Sequence, residues 1–79
     1  MSNYAAVEIY ADFWGNDNIR LSVGSAPGVT VAQRQVDYQG WGQNGVLQNG
    51  LIVQLKYDDV TNTFTVLKDG VEIISWEEE

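Results

Sequence analysis

An all-β fold is predicted, a small antiparallel meander of about five or six strands forming a barrel or a two-layer sandwich. Three observations predict it. Apolar residues recur with period two, those stretches are rich in β-branched residues, and clusters of Gly, Asn, Asp and Pro separate them. The chain has 79 residues, enough for one domain, 1–79, with a core that leaves little surplus stability.

Ala5, Val7, Ile9, Ala11 and Phe13 alternate with Tyr4, Ala6, Glu8, Tyr10 and Asp12, the pattern of a half-buried strand. Trp14-Gly15-Asn16-Asp17-Asn18 is a run of turn formers. Ile19, Leu21 and Val23 alternate with Arg20 and Ser22 as a second, short strand, and Gly24-Ser25-Ala26-Pro27-Gly28 reads as a loop. From Val29 to Tyr38 the chain starts β-branched and lacks a helix cap. A strand is therefore expected, although Ala32-Gln33-Arg34-Gln35 would tolerate helix.

Gln39 to Gly50 is rich in glycine and amides and carries a short echo, Gln43-Asn44-Gly45-Val46-Leu47 followed by Gln48-Asn49-Gly50-Leu51-Ile52. Each Asn-Gly suits a type I′ turn, so a folded-back loop is expected. Leu51, Val53, Leu55 and Tyr57 then alternate with Ile52, Gln54 and Lys56, and Asp58 to Asn62 makes a turn. Thr63 to Lys68 and Val71 to Trp76 flank Asp69-Gly70, the signature of a two-residue hairpin.

A regular hairpin at Asp69-Gly70 would pair Lys68 with Val71, Val66 with Ile73 and Phe64 with Ser75 on one face. The other face would pair Leu67 with Glu72, Thr65 with Ile74 and Thr63 with Trp76. In that register Leu67, Ile74 and Trp76 share the second face with Glu72. Either another strand, a loop or the Trp41 segment covers them, or they form a partner or homodimer surface.

Composition narrows the function. The chain has no cysteine and no histidine, and four basic against eleven acidic side chains give a formal net charge of −7. Thiol chemistry, Cys/His metal sites and His-based nucleophilic catalysis are excluded. A carboxylate pair remains possible in principle, but so short a chain can hardly enclose a deep cleft, so an enzyme is not expected. Arg20, Arg34, Lys56 and Lys68 are scattered singly, which argues against direct nucleic-acid binding and against an anionic membrane surface. No apolar run approaches the about 20 residues needed to cross a bilayer. Met1-Ser2-Asn3-Tyr4 does not open a secretory leader, and a cytoplasmic location is expected.

Trp14 and Trp41 sit in glycine-rich turns, where an indole either anchors a partner or sugar or folds back to plug an open end of the fold. Gln39, Gln43 and Asn44 surround Trp41 with amides, which suits a carbohydrate or another small ligand. Asp58, Asp59 and Asn62 could ligate calcium, but their spacing is not that of an EF-hand, and Asx residues are the default turn formers. No metal or cofactor is expected. Glu77-Glu78-Glu79 is an acidic C-terminal tail, either a solubilising end or a patch offered to a basic partner.

The leading expectation is a non-catalytic acidic protein that engages a basic protein partner through carboxylates and exposed aromatics. A phage-type inhibitor placing carboxylates where phosphates would lie is one form of it. A lectin-like module using loop 39–50, and a structural or homo-oligomeric β protein, are the alternatives.

Overall fold

The computed structural model describes residues 4–11, 15–39 and 50–78. Six strands run through them: β1 (Tyr4–Tyr10), β2 (Asn16–Ala26), β3 (Val29–Gln39), β4 (Val53–Asp58), β5 (Thr63–Lys68) and β6 (Val71–Glu77). They form two three-stranded antiparallel sheets, in the orders β1-β2-β3 and β4-β5-β6. The all-β prediction and its meander connections are found. The barrel alternative is not: among the described residues no ladder joins one sheet to the other.

The two sheets share one core. Ile19, Leu21 and Val23 on β2 meet Phe64 and Val66 on β5 and Ile74 on β6. Ile19, Leu21, Val23 and Val66 are each at most 1% exposed. The alternation expected for 19–23 is therefore the central row of the first sheet. Ala5 and Val7 on β1, and Val36 and Tyr38 on β3, widen that row. Ala5 and Val7 thus face inward as the period predicts, whereas Ile9 of the same series is 40% exposed near the end of the strand.

Segment 29–39 is a strand, as its β-branched start suggests, because its alternate residues complete a face already begun by β2. Val36 pairs with Ile19 and Ala32 with Val23, while Gln33 and Gln35 fall on the outer side. Helix propensity in the middle of the segment yields to this cross-strand fit.

Two expected turns are shorter than the sequence suggests. Asn16, Asp17 and Asn18 belong to β2, paired with Gln39, Tyr38 and Asp37, and among the described residues of that run Gly15 (φ 77°) alone stays outside the strand. At the far end, β2 continues to Ala26, so the reversal is reduced to Pro27-Gly28. Proline fixes φ at the first position and Gly28 takes φ 81° at the second, the pattern of a type II turn. Such a turn matches strand twist poorly. Register shifts at Val23/Gly24 and Gly24/Ala26 absorb the mismatch. Gly24 makes this possible: a Cβ there would lie 1.8 Å from the Val29 carbonyl oxygen.

The hairpin at Asp69-Gly70 turns as predicted, with φ 51° and 82° at the two central residues, as a type I′ turn requires. Asp69 also ties down the entry to β4. Its N–H donates to the Ile52 carbonyl at 2.8 Å, and its Oδ1 accepts the Ile52 N–H at 3.0 Å.

The predicted register fails two residues beyond that turn. Lys68 pairs with Val71 and Leu67 with Glu72, but Val66 pairs with Ile74, Thr65 with Ser75, Phe64 with Trp76 and Thr63 with Glu77. Ile73 is an extra residue, a β-bulge. In the regular register Ile74 and Trp76 would face outward and Ser75 inward. The bulge reverses all three. The regular register would put Ile73 on the core face in place of Ile74, so the net exchange is Trp76 for Ser75, and burying about 100 Å² of an indole contributes roughly 2–3 kcal/mol. One unmade ladder bond costs about 1 kcal/mol. Burial wins, and the face expected to carry Leu67, Ile74 and Trp76 together does not exist.

The backbone geometry separates the glycines. Gly24→Ala is expected to cost about 3 kcal/mol or more, because a backbone carbonyl blocks the new methyl. Gly28→Ala should cost only about 1–2 kcal/mol of left-handed strain, since nothing lies within 4 Å. Urea unfolding of the two variants measures both, and equal losses would contradict this reading of the bulged turn.

Candidate functional site

Two surfaces gather polar chemistry, one on each sheet. The first is the end of the second sheet formed by the β4–β5 turn and the end of β6. Asp58 pairs with Thr63, and Thr63 with Glu77, so Asp58 and Glu77 stand on the outer face of one cross-strand row. The Glu78 N–H donates to the Asn62 carbonyl at 2.8 Å, which holds the residue after β6 against the turn. Asp58, Asp59, Glu77 and Glu78 thus collect at one end of the sheet. Glu77 owes its place to the bulge at Ile73. In the unbulged register Trp76 would pair with Thr63.

The turn itself is built from Asx chemistry. Asp58 Oδ1 accepts the N–H of Val60 at 2.9 Å and of Thr61 at 3.4 Å, and Asn62 takes φ 53°. This is the turn role that short polar side chains fill by default. Among the described residues no three carboxylates are grouped as a metal centre would require.

The neighbouring row on the inner face is aromatic. Tyr57, Phe64 and Trp76 pair in sequence across the three strands. The Tyr57 and Phe64 ring centroids are 4.7 Å apart, and those of Phe64 and Trp76 are 6.0 Å apart. Phe64 is buried and Trp76 half-buried against the core, whereas Tyr57 is 52% exposed at the outer end of the row. The Tyr57 hydroxyl donates to Asn62 Oδ1 at 2.8 Å, fixing the ring beside the acidic turn. Val60, at the tip of the turn, is 88% exposed. Acidic, aromatic and apolar surface therefore adjoin at this end.

The second surface is the outer face of the first sheet. Gln33 Nε2 donates to Ser22 Oγ at 3.3 Å, and Ser22 Oγ donates to Glu8 Oε1 at 3.2 Å. Beside this row, Arg20 donates through Nε and Nη2 to Gln35 Oε1 at 3.1 and 3.0 Å, and Gln35 Nε2 donates to Asp37 Oδ1. Glu8 and Arg20 stand opposite each other in the register, yet among the described residues they form no ion pair. A depression of about 290 Å³ lies there, lined by Glu8, Ile9, Tyr10, Asn18 and Arg20.

Of the residues singled out from sequence, Trp14, Trp41, Gln43 and Asn44 lie outside the described residues, as does the side chain of Gln39. The readings that place loop 39–50 at a site therefore fall outside them too. Leu67 and Glu72 are paired on the outer face of the second sheet. Ile74 and Trp76 are turned inward, which removes them from the surface proposed for a partner or a second copy. The sequence reading missed the outer face of β1–β3. The signal was present in the alternation Gln33, Gln35, Asp37 opposite Ser22, Arg20 and Asn18.

No family model, no curated protein and no solved structure matches the chain. Among the described residues no helix is long and apolar enough to cross a membrane.

The aromatic row gives graded expectations. Tyr57→Phe removes one exposed hydrogen bond and should cost about 0.5–1 kcal/mol. Phe64→Ala removes the buried middle ring and should cost about 3–5 kcal/mol. Stability of the whole domain is of the order of 4–12 kcal/mol for this length. Thermal and urea unfolding should therefore find Phe64→Ala strongly destabilised, with a large share of the domain's stability gone, and Tyr57→Phe close to the parent.

Proposed function

We propose that the protein is a non-catalytic acidic binding protein that engages a basic protein partner through the end of the second sheet. The observation that carries this reading is the assembly of Asp58, Asp59, Glu77 and Glu78 beside exposed Tyr57 and Val60. Carboxylates at such an end raise the rate of encounter with a basic patch and select it. An aromatic ring already held by a hydrogen bond, and an apolar tip, supply contacts that exclude water once the partner is docked. Three of the four basic residues lie elsewhere: Arg20 and Arg34 are on the first sheet, and Lys68 sits at the opposite end of β5, 5.7 Å from the Tyr38 ring centre. Lys56 is on β4, one outer-face row from Asp58, a single cation beside four carboxylates.

Inhibition of a nucleic-acid-binding protein by carboxylates standing in for phosphates is one use of such a surface. The reading as a whole asks only for a basic partner.

The test is a nuclear magnetic resonance titration of the whole chain with a lysine-rich and an arginine-rich peptide. Shift changes should centre on Tyr57–Asn62 and Glu77–Glu78, and affinity should fall steeply from about 20 to about 150 mM salt as screening shortens. The variant carrying D58N, D59N, E77Q and E78Q should lose most of that affinity while unfolding as the parent does. Shifts scattered over the surface, or binding unchanged by salt, would contradict the proposal.

A further inference from the structure

We infer that the outer face of β1–β3 is a second binding site, for a neutral saccharide, centred on the depression between Glu8 and Arg20. It is a different surface from the acidic end and does not rest on the partner-binding reading.

The first support is the way the two charged residues are held. On a sheet face that only meets water, opposite charges directly across from each other would be expected to pair. Here Glu8 is drawn to Ser22 and Arg20 to Gln35, away from one another, and the depression lies where they would have met. Both groups are oriented by neutral neighbours rather than by charge. Ser22 is buried, with its hydroxyl both accepting and donating, so that row is fixed from beneath. The second row is fixed from its far end by Asp37.

The second support is the donor and acceptor pattern. Glu8 offers acceptors only and Arg20 donors only, while Asn18 offers both. A sugar hydroxyl donates and accepts at once, so adjacent hydroxyls of one ring can bridge a fixed carboxylate and a fixed guanidinium. The third support is an aromatic wall. Tyr10 is 53% exposed at the rim of the depression, and its apolar ring face suits the C–H face of a pyranose.

Charge selects the ligand class. The face carries Glu8, Arg20 and Asp37, a single cation against two anions. A phosphate or sulfate would need clustered basic residues, which this face lacks. A cation would need converging carboxylates, which are also absent among the described residues. A neutral polyol meets neither penalty. The depression is shallow, so affinity in the millimolar range is expected, near about −4 kcal/mol.

The experiment is a heteronuclear titration of the whole chain with neutral gluco-, galacto- and manno-oligosaccharides, with inorganic phosphate and a lysine-rich peptide as controls. At least one saccharide should shift the signals of Glu8, Tyr10, Asn18 and Arg20 while phosphate does not. Tyr10→Ala leaves both hydrogen-bonded rows intact and should weaken that saccharide about tenfold. Arg20→Gln should weaken it further. The variant carrying D58N, D59N, E77Q and E78Q should bind it as the parent does, which separates this site from the acidic end. No response to any saccharide would overturn the inference. So would saccharide shifts confined to residues 39–50, or phosphate shifting the same four residues.

Discussion

Between Glu72 and Ile74, β6 carries one residue more than β5 can pair, and the second sheet depends on that residue. With Ile73 as a bulge, Ile74 and Trp76 face the row of Ile19, Leu21 and Val23, and Ser75 goes outward. Without it, Ile73 would take the place of Ile74 on the core face, and the next core position, opposite Phe64, would hold a serine while Trp76 went to water. A domain of this length has no disulfide to fall back on. Among the described residues the buried cluster is six side chains, so losing the indole packed against it would remove a large share of what holds the sheets together.

The same residue links packing to function. Displacing the register by one turns Trp76 inward and Glu77 outward in a single step, because neighbours on a strand point to opposite faces. The aromatic row Tyr57–Phe64–Trp76 and the acidic row Asp58–Thr63–Glu77 are consecutive rungs of the same ladder, one on each side of it. Core completion and acidic surface are thus not independent features. The first sheet works differently. Its central strand is buried on the inner side, and on the outer side Ser22 is buried beneath Glu8 and Gln33. Its polar surface is shaped by side-chain hydrogen bonds rather than by a bulge.

Much of this was legible in the sequence. The strand pattern of 4–10, 19–23 and 53–57 follows directly from period-two alternation, and the Asp69-Gly70 turn follows from the φ > 0 requirement of its two positions. Strand ends were less legible. Asn16 to Asn18 read as turn formers, but Asp17 is placed by its pairing with Tyr38, a contact from beyond the reversal. Gly24 read as loop, although its lack of a side chain serves a close approach of backbone to Val29. The bulge was hidden because turn chemistry fixes register only near the turn. What moved it was the value of burying Trp76, in place of Ser75, in a core completed by strands distant in sequence. The candidate surfaces inherit these limits. The carboxylates at 58–59 and 77–78 are visible as two separate runs, and only the ladder brings them together. The polar rows on β1–β3 needed three strands to be in register before they could be seen at all.

Interstrand proton–proton contacts across the β5–β6 hairpin, measured by nuclear Overhauser spectroscopy, test this account most directly. Cross-strand contacts joining Val66 to Ile74 and Phe64 to Trp76 are predicted, with Thr63 opposite Glu77. Contacts joining Phe64 to Ser75 and Thr63 to Trp76 would contradict it, and with it both the core and the acidic end that the bulge creates.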